Sequence, residues 1–226
     1  MSVEFIGEST ISVKCKTCKL LDFKVIEQDD LEDGDKFYDI QMFGIDEKRR
    51  TYSITVKNFK PFFYIKIPNS WDNEMVIAYM KNIKSAIGYS KKFIIEYDLV
   101  KYNKLYGFDG KKLHNFIKIT CENMSPIYST KRLFYDGEKQ RCNKEGYVFE
   151  NESTYIYETQ IPPMLRFFHI QEISPSGWVM LKNVMSIKNK KTKCNFEYNS
   201  RYQDIISLPD KEIGVNYKVC SFDIEA

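Results

Sequence analysis

Pro61-Phe62-Phe63-Tyr64-Ile65-Lys66-Ile67-Pro68-Asn69-Ser70-Trp71-Asp72-Asn73-Glu74 is the stretch on which the fold turns. Its first half is a short aromatic strand closed by Pro68, whose missing amide cannot extend a ladder. Its second half carries helix-start chemistry. Ser70 or Asp72 can cap, and acidic residues in a first turn suit the helix dipole. Met75, Ala78, Tyr79, Ile83 and Ile87 follow at helical spacing, and Gly88 ends the run. Further along, strands are expected at 92–102 and 116–121, around a Gly-containing loop at 105–112. A second helix is expected at 125–135, with Pro126 near its first turn and Gly137 beyond its end. A last strand is expected at 147–150. Strand, helix, strand, strand, helix, strand is the order of a ferredoxin-like split βαβ unit, here spanning 61–150. RNA-recognition modules share that order and stack bases on aromatic side chains of the central strands. Phe62 or Tyr64, together with Phe116, could occupy comparable places, although the Gly-and-aromatic motif of those modules is absent. A core role explains these rings better than base stacking does.

Before this unit the chain is β in character, with strands expected at 10–16, 20–27, 37–44 and 51–57 separated by acidic or charged turns. An antiparallel meander over 1–60 is the simplest reading. Beyond it, Ile161-Pro162-Pro163 marks a turn or extended connection. The segment 164–170 is a short helix or extended piece, 177–185 and 194–198 read as strands joined by a lysine-rich turn, and 202–207 is ambiguous. The fold class is α+β.

The chain has 226 residues, 43% hydrophobic and 29% charged, an ordinary globular balance with enough length for a real core. Sixteen Tyr and sixteen Phe suit a strand-rich protein, but a Lys-, Asn- and Ile-rich composition bias explains them too. A formal charge of only +3 gives no global field for nucleic acid. Locally, Lys48-Arg49-Arg50, Lys131-Arg132 and the four lysines of 188–193 read first as solvated loops. No basic start followed by an apolar stretch opens the sequence, and no run is long enough to span a bilayer, so an intracellular setting without membrane contact is expected. Six scattered cysteines fit free thiols. Cys15-Lys16-Thr17-Cys18 has a zinc-like spacing without a second close pair, and the alternation around it reads better as a strand.

Lys218-Val219-Cys220-Ser221-Phe222-Asp223-Ile224-Glu225 is an apolar strand ending in two carboxylates two positions apart. Residues i and i+2 of a strand share a face, so Asp223 and Glu225 project together while Ile224 points the other way. Such a pair can share divalent metals for phosphoryl chemistry. Alone, an acidic strand end explains it as well.

Context changes that reading. Ser221-Phe222-Asp223-Ile224-Glu225 resembles the first exonuclease motif of family B DNA polymerases, and upstream segments resemble the same family in the right order. Phe37-Tyr38-Asp39-Ile40-Gln41-Met42-Phe43-Gly44 is similar to the strand that opens its N-terminal domain. Phe59-Lys60-Pro61-Phe62-Phe63-Tyr64 is similar to its Phe-x-Pro-Tyr-Phe-Tyr strand, with Phe62 for the usual Tyr. Tyr106-Gly107-Phe108 and Phe116-Ile117-Lys118-Ile119 resemble a delta-type turn and strand. Glu158, Ile161-Pro162 and Leu165-Arg166-Phe167 match a Glu-x-x-Ile-Pro-x-x-Leu-Arg-Phe signature, and Trp178, Leu181 and Asp204-Ile205-Ile206-Ser207 continue the likeness. It covers roughly 20–226, and the delta type, including versions carried by large DNA viruses, looks nearest.

The resemblance implies an N-terminal portion of a replicative polymerase with 3′–5′ proofreading. Its pieces would be the meander (1–60), the ferredoxin-like unit (61–150), a β-rich connection (151–215) and the first strand of a ribonuclease H-like exonuclease (216–226). Asp223 and Glu225 would be catalytic ligands of magnesium or manganese, with no metal held tightly by this portion alone. Partners would be template and primer DNA, the remainder of the polymerase and, through regions outside this chain, a sliding clamp. The setting would be the nucleus or a viral replication site. Lys48, Arg49, Arg50, Tyr64, Phe116, Lys118 and Arg166 are the candidate nucleic-acid contacts. The rival expectation is a non-enzymatic RNA- or single-strand-binding module.

Overall fold

The computed structural model describes residues 15–29, 36–104, 109–137 and 141–216. In order these form β1 (Lys16–Asp29), β2 (Lys36–Ile45), β3 (Thr51–Lys57), β4 (Phe62–Lys66), α1 (Asn73–Ala86), β5 (Ile94–Asn103), β6 (Leu113–Cys121) and α2 (Ser125–Leu133). There follow β7 (Tyr135–Asp136), β8 (Arg141–Cys142), β9 (Tyr147–Phe149), β10 (Glu152–Tyr157), α3 (Pro163–Ile170), β11 (Trp178–Leu181), β12 (Met185–Ser186), β13 (Phe196–Arg201) and β14 (Ile205–Leu208). The architecture is a mixed, sheet-rich α+β one. No described helix is long and apolar enough to cross a membrane.

The chain divides into two compact units. One combines Met1–Val25, Asp39–Phe59 and Phe167–Ala226; the other combines Ile26–Tyr38 and Lys60–Arg166.

The first unit holds a seven-stranded sheet in the order β12-β13-β3-β2-β1-β11-β14. β2 and β3 pair antiparallel from Ile40 opposite Val56 to Ile45 opposite Thr51. Tyr52, Ile54 and Val56 are all buried, as their alternation demands. β13 then joins β3 in parallel, with Phe196 opposite Tyr52. The early strands are therefore not completed by their own meander; strands from the far end of the chain flank them on both sides, and the sheet is mixed. Where 10–16 and 20–27 were expected as two strands, the described part is one continuous strand from Lys16. Its Cys18 is fully buried against β2. A Cβ on Gly44 would stand 2.8 Å from Cys18 Sγ and 3.0 Å from the Lys19 carbonyl oxygen. Gly44→Ala is therefore expected to cost about 1–2 kcal/mol by overpacking, read as a lower urea midpoint with unchanged slope.

Burial, with Asp46 nearby, pushes the Cys18 thiol up to about 12, whereas Cys15 is exposed. A buried neutral thiol is a poor metal ligand. Among the described residues no three His, Cys, Asp or Glu side chains gather as a metal site.

The second unit holds a five-stranded sheet in the order β5-β6-β4-β10-β9. β4 pairs antiparallel with β6 and with β10, and β5 with β6. The strand beside β4 is thus 152–157, and the expected last strand at 147–150 lies outside it as β9. Both helices supply apolar side chains to a core with Phe63, Ile65, Ile117 and Ile119. Asp72 caps α1 by accepting from the Met75 amide at 2.9 Å. The buried stripe of α1 is Val76, Tyr79, Met80 and Ile83, with Ala78 exposed, so the expected apolar face is turned by about one residue. Gly88 ends it at φ +59. The Tyr79 hydroxyl meets Thr154 Oγ1 at 2.8 Å, and Thr154 donates to the Tyr147 carbonyl at 2.8 Å, which ties α1 to β10 and β9.

Candidate functional site

Alternation along β4 and β6 sends Phe63, Ile65, Ile117 and Ile119 into the core and leaves Phe62, Tyr64, Lys66, Phe116 and Lys118 on the opposite face. The registers bring Tyr64 opposite Lys118 on one side and opposite Tyr157 on the other. Tyr64 meets Tyr102 edge-on at 5.7 Å, and Phe116 meets Tyr157 edge-on at 5.5 Å. These rings, with Lys104 and Glu158, border a groove of about 880 Å³. Burial, with Tyr102 beside it, pushes the Tyr64 hydroxyl up to about 12, so it is a neutral donor at ordinary pH. Burial first, then Lys104 and Lys112, lower the Lys66 ammonium, with Asp109 opposing, so three lysines share a field beside the groove. Such a face offers base stacking and phosphate contacts in one place.

Two of the expected contacts, Tyr64 and Phe116, thus sit together, although Phe116 is only 5% exposed and presents little of its ring. Lys118 Nζ stands 4.5 Å from the Phe62 ring centroid, and the Arg166 guanidinium 4.1 Å. Arg166 is buried and donates through Nη1 to Glu158 Oε2 at 2.6 Å and through Nη2 to the Glu158 carbonyl at 3.1 Å. Glu158 adopts φ +61, which turns its own carbonyl and carboxylate toward one guanidinium. By gripping Glu158 and lying on Phe62, Arg166 holds the end of β10 against β4. Sequence reading missed Tyr102, Tyr157, Lys66 and Lys104 on this face; a period of two marks Lys66 on β4 and Tyr102 on β5, whereas Lys104 lies just past β5 and Tyr157 sits on β10, which shows no apolar alternation.

In the other unit, Lys48 and Arg49 are exposed in the β2–β3 loop, whereas Arg50 is committed to Asp46. Asp46 Oδ1 accepts from the Lys48 and Arg50 amides, each at 2.9 Å, and Oδ2 from Arg50 Nε at 2.7 Å and the Tyr52 hydroxyl at 3.0 Å. Burial alone would raise this carboxyl, but the hydrogen bonds outweigh it and hold Asp46 below the usual carboxylate range. Asp223 and Glu225 lie outside the described residues.

Residues 154–226 match the family model for the exonuclease domain of family B DNA polymerases. The chain is 40% identical over 235 residues to the DNA polymerase of Phaeocystis pouchetii virus, covering 95% of this chain and 22% of that protein. It is 25% identical over 210 residues to the DNA polymerase delta catalytic subunit of Schizosaccharomyces pombe, covering 90% and 19%. The solved family B DNA polymerase of Pyrobaculum calidifontis shares the fold with a TM-score of 0.52 at 16% identity, over 82% of this chain and 20% of that one. This chain thus spans about a fifth of the length of these relatives. In sequence the chain is thus similar to family B DNA polymerases, and it shares the fold of one of them.

Proposed function

We propose that this chain is the N-terminal portion of a replicative, delta-type DNA polymerase with a 3′–5′ proofreading exonuclease. Within it the described units act as a scaffold and a contact surface for template DNA. The observation that carries this reading is the family match that starts at Thr154 on β10 and runs through Asp223-Ile224-Glu225. The free-standing RNA-binding alternative is set aside, because the similar proteins are polymerases along nearly the whole chain.

The finer fold belongs to the same reading. The order β5-β6-β4-β10 with two helices on one face supports a ferredoxin-like class for the second unit. The segment 216–226 would open a ribonuclease H-like domain. Tyr64, Phe116 and Lys118, on the aromatic face, are the proposed contacts to single-stranded template, with Lys48 and Arg49 as backbone contacts; Arg50 and Arg166 would act by holding structure.

Asp223 and Glu225 would hold magnesium or manganese. Two carboxylates on one strand face are hard oxygen donors that suit such ions, and bound metal supplies water activation and charge stabilisation for phosphodiester hydrolysis. The further ligands would come from the rest of the polymerase. The portion alone would accordingly be inactive, and its setting would be the nucleus or a viral replication site, with a sliding clamp among the partners of the whole enzyme.

A chimera tests this. This chain replaces the corresponding segment of the Phaeocystis pouchetii virus polymerase, and release of mispaired 3′ nucleotides is measured in magnesium. Release is expected, and Asp223→Ala should reduce it by more than the roughly 100-fold that follows loss of a residue merely orienting a ligand. Nucleotide incorporation should persist. Incorporation with full proofreading in the Asp223→Ala chimera would refute the assignment, as would magnesium-dependent, Asp223-dependent digestion by the isolated 226 residues.

A further inference from the structure

The parallel pairing of β13 with β3 brings two distant loops together. Parallel neighbours start at the same end of a sheet, so the loop before β3 and the loop before β13 emerge side by side, although Thr51 and Asn195 are 144 residues apart in sequence. Asn195 Oδ1 accepts from the Thr51 amide at 2.8 Å, and Thr51 Oγ1 accepts from the Asn195 amide at 3.0 Å. The Arg50 guanidinium lies 5.2 Å from the Phe196 ring centroid. The basic run Lys48-Arg49 and the lysine-rich turn 188–193 therefore converge on one edge of the first unit.

Both loops are built in the same way, with a carboxylate turned inward and cations turned outward. Asp46, buried, is consumed by the four donors described above. Glu197, also buried, accepts from the Lys191 amide at 3.0 Å and from the Thr192 amide. Burial would raise the Glu197 carboxyl, but these hydrogen bonds and nearby Lys190 keep it low and ionised. The remaining carboxylate of the β2–β3 loop, Glu47, pairs with Lys211 at 2.6 Å. Asp210 and Glu212, both exposed, flank Lys211 in the loop after β14, so this pair brings two further carboxylates toward the β2–β3 loop. Lys48, Arg49, Lys188, Lys191 and Lys193 are exposed, and no ion pair to a described carboxylate occupies them. Lys190 is committed to the Cys194 carbonyl at 3.0 Å.

We infer that this paired-loop edge is a binding surface for the phosphodiester backbone of nucleic acid. Five exposed cations on two loops braced by buried carboxylates form a preorganised polyanion site. The aromatic side chains at this end do not offer stacking platforms: Tyr52 and Tyr198 are buried, and the half-buried Phe196 is flanked by Arg50 and by Tyr198, stacked on it at 6.0 Å. Contact is thus with phosphates and not with bases, unlike the aromatic face of the second unit. The choice of nucleic acid over other polyanions rests on the polymerase reading above.

The test is fluorescence anisotropy with the full 226-residue chain, using a labelled 20-mer of thymidylate, an abasic 20-mer of equal charge and a 20-bp duplex over a salt series. Lys48, Lys188, Lys191 and Lys193 are changed together to Ala, with circular dichroism to establish folding. The variant is expected to lose at least roughly tenfold in affinity for all three ligands. Its plot of log affinity against log salt should be shallower by about 0.7–0.9 for each phosphate that is no longer neutralised. Tyr102→Ala, on the aromatic face, should weaken thymidylate relative to the abasic strand and leave the lysine-dependent part intact. Unchanged affinity and slope in the quadruple variant would overturn the inference, as would no binding at low salt. Equal or tighter lysine-dependent binding to polyglutamate or to phosphatidylserine vesicles would overturn the choice of nucleic acid. None of these outcomes bears on the proofreading of the chimera, so the two readings fail separately.

Discussion

Replacing Arg166 with Ala is expected to destabilise the second unit by about 3 kcal/mol, a large fraction of the stability of an ordinary domain. Two charge-assisted hydrogen bonds to Glu158 would be lost, each kind worth about 1.5–3 kcal/mol. The packing of a guanidinium on Phe62 at 4.1 Å would go with them, worth about 1 kcal/mol. The sum is discounted because the Glu158 side chain is 43% exposed, so water rehydrates its carboxylate once the partner leaves. Arg166→Lys should recover less than half of the loss. An ammonium is a point donor that cannot span the carboxylate and the carbonyl of one residue while lying flat on a ring. Glu158→Gln should cost about 1 kcal/mol, since the carbonyl of Glu158 still accepts. The chain has two tryptophans, Trp71 in the second unit and Trp178 in the first, so fluorescence of Trp71 in a Trp178→Phe background reads this unit alone. Equal urea midpoints for Arg166→Lys and the parent would refute the bidentate role.

This clasp also shows where sequence reading stops. The spacing from Glu158 to Arg166 was legible as part of a family signature, but its physical content was not. It depends on a left-handed backbone at Glu158 and on Phe62, a partner far away in the chain. Strand 51–57 was legible to the residue, because Tyr52, Ile54 and Val56 alternate without interruption. Helix α1 was legible from its cap, yet its buried face was displaced because Val76 and Met80 are buried while Ala78 is exposed and Met75 only partly buried. Strand β10 escaped notice. Its buried position is a threonine, satisfied by Tyr79 and Tyr147, and its tyrosines lie on the aromatic face, so no apolar alternation announces it. Pairing with β4 decides the strand, and that is a long-range property. The parallel seam of β3 and β13 was hidden for the same reason, and with it the meeting of the two basic loops. Asp223 and Glu225, the residues the sequence marks most strongly, rest on motif and family match.

Asp46→Ala is expected to cost the first unit about 3 kcal/mol, and its effect should fade in acid. Tyr52 is buried, so its hydroxyl would lose its carboxylate partner and remain unsatisfied at about 1–3 kcal/mol. The Lys48 and Arg50 amides lose a capping acceptor, which typically costs about 1 kcal/mol. Asp46→Asn keeps an acceptor oxygen for the amides and should cost about half as much. The folded-state carboxyls of Asp46 and Glu197 both lie below their ordinary values, so they bind protons less readily folded than unfolded. Their contribution is therefore fully present above the unfolded values of about 3.9 and 4.3, and is lost as pH falls through the lower folded ones. Trp178 packs with Ile45, the residue before Asp46, so its fluorescence in a Trp71→Phe background reports this end of the sheet. The gap in melting temperature between parent and Asp46→Asn should be constant from about pH 7 to about pH 5 and close towards about pH 3. A gap that stays constant over that whole range would mean that the charge of Asp46 contributes nothing. The loop would then be held by neutral hydrogen bonds alone, and the inward carboxylates would brace the outward lysines by shape without any help from charge.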